Sequence, residues 1–401
     1  MHTYRLAPPC VMLGSAILVS GMVGCGGGDG TGSYTVSDSA GVEIMMNSGP
    51  AWSEGEGWRV DPEPSLTIGT PAGDPAYELH GVRGAVRFLD GDLAVLNSGS
   101  QEVRIYDQDG QYLRAAAGEG EGPGRLQAPY LMFALADDTV VVSDGRQRRL
   151  SFFGRDGQFA RSYNLSAENR YIAAALFGDG ALLVTSGVTT LSDRRSGPIR
   201  PKDHLTVLSA SGDSMSTLGA FASQEMYARY DGDAVGTATL VFGRTRVMAA
   251  HGSTLFVGTN DGFVIDQYRR DGTLVRSIRR DHVTPVTDDM FAAELEATSE
   301  QYTGPYGDFM RPILDEMPQP NTLPHYSAIK ADPEGNLWVR DYHCRTMPSF
   351  EWTVFDPQGL MLGDVTLPER FDVYEIGRDY VLGRWRDDAD VEYVRLHKVN
   401  R

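Results

Sequence analysis

The chain has 401 residues, with 36 Lys and Arg against 54 Asp and Glu, for a formal charge of −18 at pH 7. So acidic a surface repels nucleic acid and anionic lipid headgroups, which argues against polyanion binding as a primary role. A hydrophobic share of 41% excludes wholesale disorder, and 46 glycines suit many short strands joined by tight turns.

Residues 1–24 differ in kind from the rest. Arg5 is their one charged side chain, and Cys10 to Val23 is apolar or small throughout. That run is too short and too often interrupted by Gly to span a bilayer, so 1–24 reads as a signal peptide. Met22-Val23-Gly24-Cys25 resembles the bacterial lipobox, which implies cleavage before Cys25 and lipidation of its thiol, palmitate included. Residues 25–33 are rich in Gly and form a flexible tether. Two or three acyl chains on Cys25 make membrane attachment effectively permanent, at about 0.8 kcal/mol per buried methylene. The expected location is the cell envelope, anchored to a bacterial membrane, the outer one preferred, with the body in the periplasm or at the surface. Cys10 leaves with the signal and Cys25 is modified, so Cys344 has no intramolecular partner and no disulfide is expected.

A hairpin phrase then recurs along the chain. It runs Val103 to Gly110, Leu150 to Gly157 and Trp352 to Gly359, with weaker copies at Leu205 to Gly212 and Ile265 to Gly272. A β-rich run, a polar turn ending in Gly and a second β-rich run mark a strand hairpin whose glycine takes positive φ. Its repetition at blade-like spacing predicts an all-β fold over 34–401, a six-bladed β-propeller of four-stranded antiparallel blades a, b, c and d. The copies run His80–Gly118, Pro129–Leu165, Tyr171–Phe221, Thr245–Asp281, Tyr326–Leu367 and Phe371–Val399. The last lacks an outer strand. Ser65–Gly69 is the candidate to complete it and close the ring, removing exposed sheet edges. Residues 34–47 are then an extra outer hairpin, and the two segments could exchange roles.

Several motifs resemble the uncharacterised bacterial six-bladed β-propeller lipoproteins related to NHL-repeat proteins. They are Gly118 to Gly124 after a d strand, Gly335-Asn336-Leu337-Trp338-Val339, Trp352 to Gly359, and Tyr380 to Asp387. The resemblance covers most of residues 35–401. It implies a fold and an envelope location and implies no agreed activity.

The a–b and c–d turns of a propeller lie on one face, and the b–c and d–a loops on the other. Every turn of the first kind is short here. The long segments, Ser186–Asp203, Ala222–Arg244, His282–Pro324 and Arg340–Ser349, all fall on the opposite face, as binding loops do on repeat scaffolds. The insertion 282–324, between blades four and five, is expected to be helical. One helix starts at Asp288 behind the N-cap Thr287, and a second spans Gly307 to Met317. Phe291, Leu295, Phe309, Ile313 and Leu314 would pack it over the propeller mouth, as a lid or as a seal.

At the starts of the inner strands stand His80, Arg83, Tyr130, Tyr171, Arg246, His325 and Tyr326. An aromatic and cationic set suits an anionic or carbohydrate-like ligand at the channel mouth, and equally suits hydrogen bonding of strand ends. No catalytic residue, resident metal or cofactor is predicted. The favoured reading is a non-enzymatic, lipid-anchored binding module. It is expected to be a monomer, with a small molecule, glycan or protein on its loop-rich face and no nucleic acid partner. NHL-like propellers also include metal-dependent lyases and lactonases, so the alternative is an enzyme of that kind with a channel metal ion held by His80, His325 and Asp372. His343-Cys344 is not a nucleophile pair, because neighbours on a strand point to opposite sides.

Overall fold

The computed structural model describes residues 33–165, 169–188, 195–232, 234–347 and 350–401. The expected signal peptide, Cys25 and most of the tether lie outside the described residues. Two helices and seven small sheets make up the described elements.

Six of the sheets follow the repeats. Sheet I holds Val82–Arg87, Leu93–Asn97, Glu102–Tyr106 and Tyr112–Glu119, with Arg125–Leu126 added in parallel. Sheet II holds Pro129–Ala134, Val140–Asp144, Arg149–Phe153 and Phe159–Asn164. Sheet III holds Ile172–Leu176, Leu182–Val188, Lys202–Leu208 and Ser214–Ala222. Sheet IV holds Val247–His251, Thr254–Gly258, Phe263–Arg269 and Leu274–Arg280. Sheet V holds Tyr326–Ala331, Leu337–Asp341, Glu351–Phe355 and Met361–Thr366. Sheet VI holds Phe371–Ile376, Tyr380–Arg386 and Glu392–Asn400.

The recurrent hairpin forms where the sequence places it, and for a local reason. Asp107 Oδ1 accepts from the amides of Asp109 (3.0 Å) and Gln111 (2.8 Å), and Asp356 Oδ1 from Gln358 (2.9 Å) and Leu360 (2.8 Å). The turn then needs a left-handed residue, which Gly110 (φ +81°) and Gly359 (φ +87°) supply. On the strand after the turn one residue stays unpaired, Leu113 opposite Ile105 and Tyr106 and Leu362 opposite Val354 and Phe355, the bulge that accompanies such a turn.

Strand b of each sheet reads as a continuous apolar run because both of its faces are covered. In sheet I, Ala94 and Leu96 pack toward Met132 and Val140 of sheet II, while Leu93 and Val95 pack toward Leu382 and Leu396 of sheet VI. In sheet III, Leu182 and Val184 face Val141 and Phe152 of sheet II, and Leu183 faces Leu255 and Val257 of sheet IV. Alternation along the strand thus sends successive side chains into different inter-sheet cores. Phe263 with Ile329 joins sheets IV and V, and Trp338 with Val381 joins V and VI. The fold is propeller-like: small antiparallel sheets packed face to face in chain order.

Leu66–Ile68 pairs with Val394–Leu396, completing sheet VI as the sequence predicts, and Ile68 is buried in the core shared with sheet I. The hairpin over 34–47 forms too, but not as an alternative to that strand. Val42–Asn47 runs parallel to Leu274–Arg280 on sheet IV, and Tyr34–Ser39 pairs outside it. Asn47 fixes the placement. Its buried side chain donates to Gly359 O (3.0 Å) and accepts from Met361 N (2.8 Å), bonds that tie the hairpin to sheet V.

Helix α1 spans Asp288–Glu300, with Thr287 Oγ1 accepting from Met290 N (3.3 Å) and Asp288 and Asp289 in its first turn. Helix α2 spans Gly304–Asp315, starting three residues before the expected point. The seventh sheet was not expected. Gly197–Ile199 from one insertion pairs with Met226–Asp231 from the next, which pairs with Ala234–Thr239. Tyr227, Ala238 and Phe242 pack against Met310, Ile313 and Leu314 of α2 and against Cys344. All four insertions therefore contribute to one cap, most of them through a core of its own. Phe291 and Leu295 join that core, whereas Phe309 stays about half exposed and stacks on Tyr306.

Candidate functional site on the loop-rich face

The first strands of sheets I, II, III, V and VI carry one-residue bulges, and these decide where some expected site residues point. Tyr130, bulged in sheet II, accepts from Ala173 N (3.0 Å) of sheet III and from Ser143 Oγ (3.0 Å). Burial pushes its phenol pKa up. Tyr326 is fully buried, donating to Val264 O (2.7 Å) and accepting from Asn260 N (3.3 Å). Arg246 pairs with Asp203 (2.7 Å) and donates to Phe221 O and Ala222 O. Tyr171 packs on the core between sheets II and III. These four side chains join neighbouring elements. His80 and Arg83 are exposed, and His80 is held through its amide, which donates to Asn97 Oδ1 (2.7 Å).

His325 has a different setting. It lines two adjoining pockets, together with His282, which the sequence reading did not single out. The smaller, about 260 Å³, is also lined by Thr284, Leu323, Pro324, Asp341, Tyr342 and Met347. The larger, about 680 Å³, is lined by Arg279, Arg280 and Asp281 beside Met46, Phe263 and Val283. Both lie where sheets IV and V meet the cap. His282 was legible only as the second residue after the last strand of sheet IV, and Asp341 only as the last residue of strand b in sheet V.

The electrostatics follow from burial. His325 has its pKa lowered by desolvation first, then by the charges of Arg244 and His282. His282 is lowered by desolvation and by Arg280, with Asp364 opposing. Both imidazoles are therefore held toward the neutral form, able to donate and accept. Asp341 is pushed up to about 6 by burial and by Asp364, with Arg280 opposing. Arg280 donates to Thr353 Oγ1 (3.1 Å), whose hydroxyl donates to Asp364 Oδ1 (2.8 Å). His325 Nδ1 is buried with no hydrogen-bond partner among the described residues.

Asp372, the third residue of the metal alternative, is engaged elsewhere. Arg384 bonds Asp372 (2.5 Å) and Glu392 (3.0 Å), while Glu392 also accepts from Val82 N (2.7 Å). Among the described residues, no group of three His, Cys, Asp or Glu side chains is arranged to hold a metal ion.

No protein-family model matches the chain, and no curated protein is similar to it in sequence. Solved structures do match. A member of the DUF4221 family from Bacteroides vulgatus aligns over 86% of this chain and 99% of its own, at 12% identity and a TM-score of 0.51. An exported protein from Bacteroides fragilis aligns over 84% and 94%, at 16% identity and a TM-score of 0.46. Virginiamycin B lyase from Staphylococcus aureus aligns over 80% and 95%, at 9% identity and a TM-score of 0.40. At such identities the likeness concerns the fold alone.

Proposed function

We propose that the chain is a lipid-anchored binding module of the bacterial cell envelope: a closed six-bladed β-propeller held to a membrane through Cys25 that takes its ligand on the loop-rich face. The observation that carries the reading is the fusion of all four insertions into a single cap on that face, while the a–b and c–d turns stay short. Loops that merely connect strands do not build a shared core. Closure of the ring is supported by six inter-sheet cores, the last between sheets VI and I, and by the pairing of Leu66–Ile68 with the final strand. The seventh sheet belongs to the cap and adds no blade.

The anchor rests on the lipobox-like Met22 to Cys25 and the Gly-rich stretch after it. No helix among the described residues is long and apolar enough to cross a membrane. Cys25→Ser is expected to move the protein from the membrane to the soluble fraction and to abolish lipid labelling; continued labelling of the variant would overturn the anchor. The lyase or lactonase alternative gains nothing from the site geometry, because Asp372 is held by Arg384. It would be revived by a stoichiometric metal that is lost on His325→Ala.

A further inference from the structure

We infer that the paired pockets at His282 and His325 bind a hydroxylated monocarboxylate of one or two sugar rings, a uronate-type saccharide. The inference rests on the proposed use of the loop-rich face and deepens it. Four observations carry it. The larger pocket has a volume within the roughly 300–1,000 Å³ typical of small-molecule sites, and the smaller adjoins it through the two histidines. Arg279 and Arg280 give it a cationic wall in a strongly acidic protein. Arg279 uses Nε on Ser277 Oγ (3.1 Å) and Arg280 uses one terminal nitrogen on Thr353, so each keeps donors with which to clasp a carboxylate.

Second, the remaining polar lining suits hydroxyl groups. His282, Thr284, His325 and Asp341 offer both donors and acceptors. Third, Met46, Val283, Leu323 and Pro324 supply apolar walls for the C–H face of a ring. Fourth, Asp281 and Asp341 stand in the same pockets, and their carboxylates oppose a dianion such as a phosphate monoester more strongly than a single carboxylate.

The test is calorimetric titration of the full chain in detergent with galacturonate, with galactose and succinate as controls. Saturable binding of galacturonate, at least tenfold tighter than either control, is expected. Arg279→Gln and His325→Gln should each weaken it at least tenfold, while Arg378→Gln, in an exposed turn of the opposite face, should not. Arg279→Gln decides the matter if His325→Gln proves unstable, since Arg279 has no ion-pair partner among the described residues. Absence of wild-type binding, equal binding of galactose or succinate, or binding indifferent to Arg279→Gln would overturn the inference. None of these results bears on membrane release by Cys25→Ser, so failure of the ligand and failure of the anchor are distinguishable.

Discussion

Tyr374, in the first strand of sheet VI, donates its hydroxyl hydrogen to the carbonyl of Val82 in the first strand of sheet I, at 2.7 Å. The bond links the latest sheet in the chain to the earliest, and Tyr374 reaches it because the register slips between Val373 and Glu375. Tyr130 makes the equivalent link from sheet II to sheet III. Bulged tyrosines thus lace neighbouring first strands together.

Tyr374→Phe removes the hydroxyl and leaves the carbonyl one partner short. A net hydrogen bond contributes about 0.5–1.5 kcal/mol, so urea denaturation should show a loss of about 1 kcal/mol. An unchanged midpoint and slope would mean that the lacing bond does not hold the two sheets.

Closure by the N-terminal strand makes a stronger demand. Ile68 is 1% exposed and packs with Val82, Val394 and Leu396. Ile68→Ala should cost about 2–5 kcal/mol, as for other large-to-small changes in a core. Faster limited proteolysis over residues 59–79 should accompany it. A nearly silent substitution would remove Leu66–Ile68 from the core.

Glu392 is buried between Arg384 and Arg386 and also accepts the amide of Val82. Glu392→Ala leaves the buried Val82 amide without its acceptor, while Arg384 keeps Asp372 and Arg386 reaches solvent, so it should destabilise by about 1–3 kcal/mol. Glu392→Gln keeps an acceptor for Val82 N and should cost less. Equal losses in the two variants would show that charge, not the hydrogen bond to sheet I, dominates there.

Asp341 predicts a pH effect with a definite sign. Its pKa is raised in the folded state to about 6, so the protonated form is favoured by folding. Its contribution is fully present below the unfolded value of about 4 and is lost as pH rises through about 6. Asp341→Asn removes that dependence. Relative to wild type, the variant should gain about 2 kcal/mol between pH 4 and pH 7.5 in thermal melts, and a constant difference across that range would contradict the raised pKa.

The hairpins were legible because their determinants are local. Asp107 to Gly110 contains both the carboxylate that caps the turn and the glycine that completes it, and Asp356 to Gly359 repeats the arrangement. The strand at Leu66–Ile68 was found by counting what the last repeat lacked. The seventh sheet and the parallel strand Val42–Asn47 were not foreseeable in place, since each pairs segments that share no local pattern. The site residues were harder still. Tyr130 and Tyr326 both stand at strand starts, yet Tyr130 is the bulged residue of sheet II, while Tyr326 stands one place before the bulge of sheet V and is buried against sheet IV. His325 was found by its place before a strand; His282 entered only when the fold brought it alongside.

The central claim is that this protein works through its loop-rich face. Val283 is 64% exposed on that face, and Leu89 is 84% exposed in a tight turn of sheet I on the other. A photo-crosslinking amino acid placed at each position in turn, in intact cells, tests the claim directly. Adducts from position 283 and none from position 89 are predicted; adducts from position 89 alone, or from neither, would contradict it.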